Sequence, residues 1–389
     1  MNAAHYMLNK RVAMTSGVLA ATILVAAACG SDDSPSSSAG STAASQGGRG
    51  PGGGGFGQTV TAVNLNTDGA SPGGANSAVV AAATKAFLST LDATLLDKVT
   101  YDFSESQARQ TWSNFPAFTV PREGVALADL SKAQRTAAMA MLKAALSDDG
   151  YQQVLDIQKS DDYLNSLGGQ GADGFGSLQD YFVAVYGSPS ATNPFMIQFG
   201  GHHLARNLTY HGDKVSETPQ FVGSEPTSFQ VGGTTVEPVG DESTAIFGMI
   251  AALTEKQKTA AKLTDGTYDD LLMGPAHDDG QFPASAGLPV SELDAAQKQK
   301  VVAAIKAYVA DLDDAAATKL LAKYESELDS TKIAWANNTG PSDESSYLRI
   351  DGPSVWIEFI NTRSQSTPNI HYHSVYRDKT NDYGSTKPS

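Results

Sequence analysis

Three short strings constrain the fold of this chain more than anything else in it. They are Leu130-Ser131-Lys132-Ala133-Gln134, Leu253-Thr254-Glu255-Lys256-Gln257 and Leu293-Asp294-Ala295-Ala296-Gln297. In each, Ser, Thr or Asp stands three residues before Gln, the spacing at which the first side chain caps the N3 amide and Gln reaches back. The preceding Leu occupies the staple position. An all-β fold is therefore excluded. In the first and third copies the helical stripe continues through Met139, Met141, Leu142 and Leu146, and through Val302, Ile305, Val309 and Leu312. A second amphipathic run follows each, so both read as helical hairpins.

Each hairpin leads into a β-rich stretch. Phe195–Phe199, a Gly200-Gly201 turn and His202–Tyr210 make one β-hairpin. Tyr347–Ile350, an Asp351-Gly352 turn and Ser354–Ile360 make the other. The pattern predicts an α+β fold of two similar halves, about 120–225 and 285–380, each a helical hairpin followed by a β-hairpin or sheet, packed as one domain over 58–389. One further helix is expected from Ser77 to Leu96. Convergent helix capping is the alternative to a true repeat.

The first 57 residues have a different character. Lys10 and Arg11 precede an uncharged apolar run from Val12 to Ala28, too short and Ala-rich for a comfortable membrane span. Ala26-Ala27-Ala28 before Cys29 resembles the lipobox of bacterial lipoproteins. That resemblance implies a signal peptide over 1–28, cleavage before Cys29, and lipid on Cys29. Gly30 rather than Asp after Cys29 then favours the outer membrane, at its periplasmic face, in a Gram-negative cell. Residues 29–57 carry the lipidated Cys and a Ser/Gly/Ala-rich stretch that reads as a flexible tether. The predicted partner is thus a membrane, reached through a lipid anchor rather than a transmembrane helix.

Composition excludes other classes. With 42 acidic against 27 basic residues, the net charge of −15 argues against a nucleic-acid partner. A single Cys among 389 residues excludes an intramolecular disulfide and any cysteine-cluster metal site. Two motifs that look catalytic fail on inspection. Gly69-Ala70-Ser71-Pro72-Gly73 matches a nucleophile elbow, but Pro72 lacks the N–H that the elbow's oxyanion hole requires. Gly169-Gln170-Gly171-Ala172-Asp173-Gly174 matches a dinucleotide fingerprint, yet follows a helical run rather than a strand.

The histidines carry the chemistry. His371 and His373 stand at i and i+2, so a strand projects both to one face. His202 and His203 would point to opposite faces of a strand, leaving one free to join them. His203, His371 and His373, with His202 as the alternative, make a three-nitrogen candidate site for zinc or copper with an open coordination position. Glu358 and Asp378 are candidates to orient a ligand or act as base. Arg206 and Arg377 are candidates to bind an anionic substrate. Against these stand ordinary structural roles: buried hydrogen-bonded histidines and ion-paired arginines. His211 falls in a predicted turn and His277 in a loop. Trp112, Trp335 and Trp356 read as core or rim aromatics, with Trp112 a candidate pocket wall.

Gly201-His202-His203-Leu204, Phe221 to Pro226, Asp351 to Phe359, His371 to Asp378, and Arg122-Glu123-Gly124-Val125 together resemble the bacterial and fungal domain of unknown function family number 3500. The resemblance covers roughly Ser77 to Gly384. It implies one family-wide domain and supplies no established activity. The expectation is an exported lipoprotein with a histidine-lined metal site, acting on a small molecule as a metal-dependent hydrolase or oxidoreductase. The alternative is a non-catalytic cell-envelope lipoprotein that binds a ligand or partner.

Overall fold

A computed structural model describes residues 63–65, 70–168, 174–278, 280–364, 367 and 369–388. The signal, Cys29, the tether and 169–173 of the Gly-rich loop lie outside them. The helices are α1 (Ser77–Ser89), α2 (Ala93–Val99), α3 (Ser106–Arg109), α4 (Lys132–Ala145), α5 (Asp148–Leu167), α6 (Gly240–Ala251), α7 (Glu255–Ala261), α8 (Ala295–Val309) and α9 (Asp314–Ser326). The first strands are β1 (Val63–Leu65), β2 (Thr100–Tyr101), β3 (Val125–Ala126), β4 (Phe182–Tyr186), β5 (Phe195–Gly201), β6 (Leu204–His211), β7 (Lys214–Ser216) and β8 (Gln220–Ser224). The others are β9 (Phe229–Val231), β10 (Thr234–Val236), β11 (Leu288–Pro289), β12 (Lys332–Asn337), β13 (Ser346–Asp351), β14 (Val355–Arg363), β15 (Ile370–Asp378) and β16 (Thr386–Pro388). Among the described residues no helix is long and apolar enough to cross a membrane.

All three capping boxes form, each with both reciprocal hydrogen bonds, at Ser131/Gln134, Thr254/Gln257 and Asp294/Gln297. The helix expected over Ser77–Leu96 is two helices instead. The Asp92 side chain accepts from Leu95 N–H and starts α2 afresh, which a continuous helix would forbid.

A twelve-stranded mixed sheet runs β11-β12-β13-β14-β15-β8-β6-β5-β4-β2, with β3 also on β4 and β7 also on β6. Its pairings are antiparallel except β2 with β4. β5, β6, β8 and β13 are buried along almost their whole length, because both faces of the sheet are covered. Alternate residues divide between two cores. Val183, Ile197, Leu208, Ile357 and Phe359 pack with Met141, Ile157 and Ile305 of the helices. Ala184, Met196, Ala205, Trp356 and Ile360 pack with Trp112, Leu271, Met273 and Tyr383 from the connecting loops. One face thus carries a helical layer and the other a layer of loops. In β15, Tyr376 belongs to the helix side and Val375 to the loop side, so His371 and His373 lie on the loop side.

The first β-hairpin turns at a different place from the one expected. β5 continues through Gly200 and Gly201, which pair with Ala205 and Leu204. The two-residue turn is His202-His203, with His203 at φ +57°. The glycines are needed for close approach: a Cβ on Gly201 would stand 2.1 Å from the Asp180 carbonyl oxygen. A small residue there reflects the neighbouring backbone rather than the turn. Ser71, the would-be elbow serine, is buried in a loop where its Oγ accepts from Gly73 and Val215 N–H.

Candidate metal centre

The His202-His203 turn and the first residues of β15 meet at one end of the sheet. β8 brings them together: Gly223 pairs with His373, and its N–H donates to the His203 carbonyl at 2.8 Å. A Cβ on Gly223 would lie 2.9 Å from His203 Cδ2, so glycine makes room for the ring. His373 Nε2 stands 3.0 Å from His371 Nε2 and 3.3 Å from His203 Nε2. One ligand nitrogen from each of the three lies within 4.8 Å of the others. Two imidazole nitrogens on one tetrahedral zinc, each about 2.05 Å away, stand roughly 3.3 Å apart. The cluster fits that geometry with little movement.

Burial pushes the His203 imidazole well below its ordinary pKa, and His202, His373 and His371 add to the effect. Burial, with His373 next, takes His371 down to about 2. Both rings are therefore neutral at physiological pH, the form that ligates a metal. His373 Nδ1 faces Asp270 Oδ1 at 3.1 Å. Burial opposes ionisation of Asp270, but His373 holds its carboxyl below the usual value. A carboxylate behind a ligating histidine sets its tautomer and ring orientation. Thr362 Oγ1 lies against His371, 3.1 Å from Nδ1 and 2.8 Å from Nε2.

His202 and His203 do not diverge as a strand would make them, because they occupy the turn. Their ring centroids are 3.8 Å apart. His202 Nδ1 meets Asp161 Oδ1 of α5 at 2.6 Å, and Asp161 Oδ2 accepts from Tyr181 Oη at 2.7 Å. Burial opposes protonation of His202, yet Asp161 raises its pKa above the ordinary value. Asp161, His202 and His203 form a second group whose ligand atoms also lie within 4.8 Å of one another.

The other candidates are occupied elsewhere. Glu358 accepts from Leu272 and Met273 N–H at 2.8 Å each, from Tyr347 Oη at 2.6 Å and from Trp356 Nε1 at 2.9 Å. Four donors saturate the carboxylate and pin the 271–273 loop to the sheet. Asp378 lies on the opposite face of β15 from His373 and binds Lys323 Nζ and Tyr324 Oη. Arg206 also faces the helices, where its Nη1 donates to Asp311 at 2.7 Å. Arg377 donates to Asp278, Asp382 and the Met273 and Gly274 carbonyls. Removing one partner of such a buried pair costs about 3–5 kcal/mol, so these arginines hold the layers together. Trp112 donates to Tyr383 Oη at 2.8 Å beneath Arg377 and is a core residue. His211 ends β6 beside the Gly212-Asp213 turn, and His277 is half-buried in its loop.

Sequence reasoning missed Asp270 and Asp161. Nothing local distinguishes Asp270 from Asp269 beside it, or Asp161 from Asp162. Only the proximity of each to a histidine does.

A sheet with helices on one face, loops on the other and a buried histidine cluster at its end defines an α+β protein with a candidate metal centre. The chain belongs to the family described as "Protein of unknown function (DUF3500)", whose family model matches residues 73–385. No curated protein and no solved structure matches it.

Asp180 gives a test of the electrostatics beside this end of the sheet. Burial raises its pKa to about 7. The folded chain then keeps a proton that the unfolded chain loses above about pH 4, so stability falls as pH rises from about 4 through 7. Asp180→Asn keeps an acceptor for the Ala117 N–H and removes this penalty. It should raise stability at pH 8 by on the order of 4 kcal/mol and leave it nearly unchanged below pH 4. Thermal unfolding at the two pH values checks this; an equal effect at both would refute it.

Proposed function

We propose that this protein is an exported lipoprotein that holds a divalent transition metal, zinc or copper, on His203, His371 and His373. Its reaction class is metal-assisted hydrolysis or oxidation of a small molecule. One observation carries the reading. Three buried imidazoles, two of them from a strand some 170 residues beyond the first, converge through ligand nitrogens at metal-site spacing. A metal there would supply Lewis-acid or redox chemistry at an open coordination position. Asp270 holds the His373 ring in its ligating orientation. A non-catalytic binding lipoprotein is the second reading, favoured by the engagement of Glu358, Asp378, Arg206 and Arg377 in structural bonds.

Elemental analysis of tag-free protein tests the site. At least one equivalent of zinc or copper should co-purify or be taken up, and the added metal should raise Tm by several degrees through mass action. His371→Ala together with His373→Ala should lower the bound metal by one equivalent and reduce the Tm rise. A native chain without stoichiometric metal and without uptake would end the reading.

The lipobox-like run before Cys29 supports an anchor at that residue. Cys29→Ser should move the protein from the membrane to the soluble fraction on cell fractionation; an unchanged distribution would remove the anchor.

We also infer that the folded region is two copies of one unit. The order β3-α4-α5-β4-β5-β6-β8 parallels β11-α8-α9-β12-β13-β14-β15. β3 pairs with β4 as β11 pairs with β12. Leu127 N–H donates to Tyr181 O at 2.8 Å, as Val290 N–H does to Thr331 O. Gly223 N–H donates to His203 O at 2.8 Å, as Lys379 N–H does to Ser354 O. His203 then corresponds to Ser354, and Asp161 to Glu327, whose carboxylate accepts from Ser354. Aligned family members should register the two ranges at these pairs; a different register would discard the duplication.

A further inference from the structure

Resting on the three-histidine reading, we propose that a second divalent cation sits beside the first, held by Asp161, His202 and His203, with the His203 ring bridging the two. The two candidate groups share His203 and nothing else. Asp161, His202 and His203 are all buried. The first site uses Nε2, which stands 3.3 Å from His373 Nε2. The other nitrogen, Nδ1, is buried and has no hydrogen-bond partner among the described residues.

That orphaned nitrogen carries the argument. A neutral imidazole that ligates through Nε2 bears its proton on Nδ1, and a buried donor without an acceptor costs about 1–3 kcal/mol. A cation on Nδ1 removes the donor. The ring releases one proton to solvent and keeps both electron pairs, one for each ion. The neighbours are suited to the task. Asp161 supplies a carboxylate fixed by Tyr181 Oη at 2.7 Å, and His202 is stacked on His203 with centroids 3.8 Å apart. The ligands approach from two layers. Asp161 comes from α5 on the helix side, while His371 and His373 come from the loop side of β15. The shared turn therefore stands between two sites at the rim of the sheet. A nitrogen and oxygen donor set selects zinc, copper or cobalt over calcium or magnesium.

The test is a metal count. The full folded chain is stripped with chelator, titrated with Zn(II) alone, desalted and analysed for bound metal. Two ions per chain are expected. His202→Gln and Asp161→Asn should each retain one, and His203→Ala should retain less than the native chain in both sites. With Cu(II), the doubly loaded protein should lose electron-paramagnetic-resonance intensity through coupling across the ring, and His202→Gln should restore a single-copper spectrum. Should Asp161→Asn fail to fold, His202→Gln and the native count still decide. Saturation at one ion, or two ions still bound by His202→Gln, would overturn the second site while leaving the first. No bound ion at all would overturn the three-histidine reading and this one together.

Discussion

The antiparallel pairing of β8 with β15 is the interaction on which the rest of the structure depends. Five residue pairs join the two strand sets into one sheet, from Tyr372 with Ser224 to Tyr376 with Gln220. Without that seam each set would present an unpaired edge of backbone donors and acceptors. The seam also does something local. It sets Gly223 against His373 and hangs the His203 turn from Gly223 N–H, so register alone brings the histidines together. A slip of one residue would send His371 and His373 to the helix face.

Covering both faces of a wide sheet has a chemical consequence. Polar residues on those strands cannot reach bulk water, so each needs partners inside. Glu358 finds four donors, Arg377 finds two carboxylates and two carbonyls, and Asp378 finds Lys323 and Tyr324. These groups tie loops and helices to the sheet. Proximity in sequence to the histidines made them look catalytic, but their buried bonds place them in the scaffold, and strand alternation also turns Asp378 to the helix face.

The histidine cluster obeys the same rule in a different way. Its rings point mainly at one another, and two carboxylates stand at its ends, Asp270 on the loop side and Asp161 on the helix side. A cluster of buried imidazoles in van der Waals and hydrogen-bond contact meets few other polar partners. Burial costs it solvation, and His203 Nδ1 is without a partner among the described residues. On the proposed metal reading, cations would supply the missing interactions.

Much of this was legible in residue order because capping and alternation are local. The helix starts at Ser131, Thr254 and Asp294 follow from spacings of three residues. The shared face of His371 and His373 follows from the two-residue period of a strand. The same period, applied to His202 and His203, predicted divergent rings and failed because the two occupy a turn. What residue order could not decide involved distant partners. The turn fell on His202-His203, while Gly201 is held to glycine by the Asp180 carbonyl 21 residues away. Asp270 and Asp161 became partners of His373 and His202 only through packing across 103 and 41 positions. Local sequence determines which residues cap and alternate, since those energies act within a few bonds. Tertiary structure decides which carboxylate meets which imidazole, since that depends on how separate layers pack.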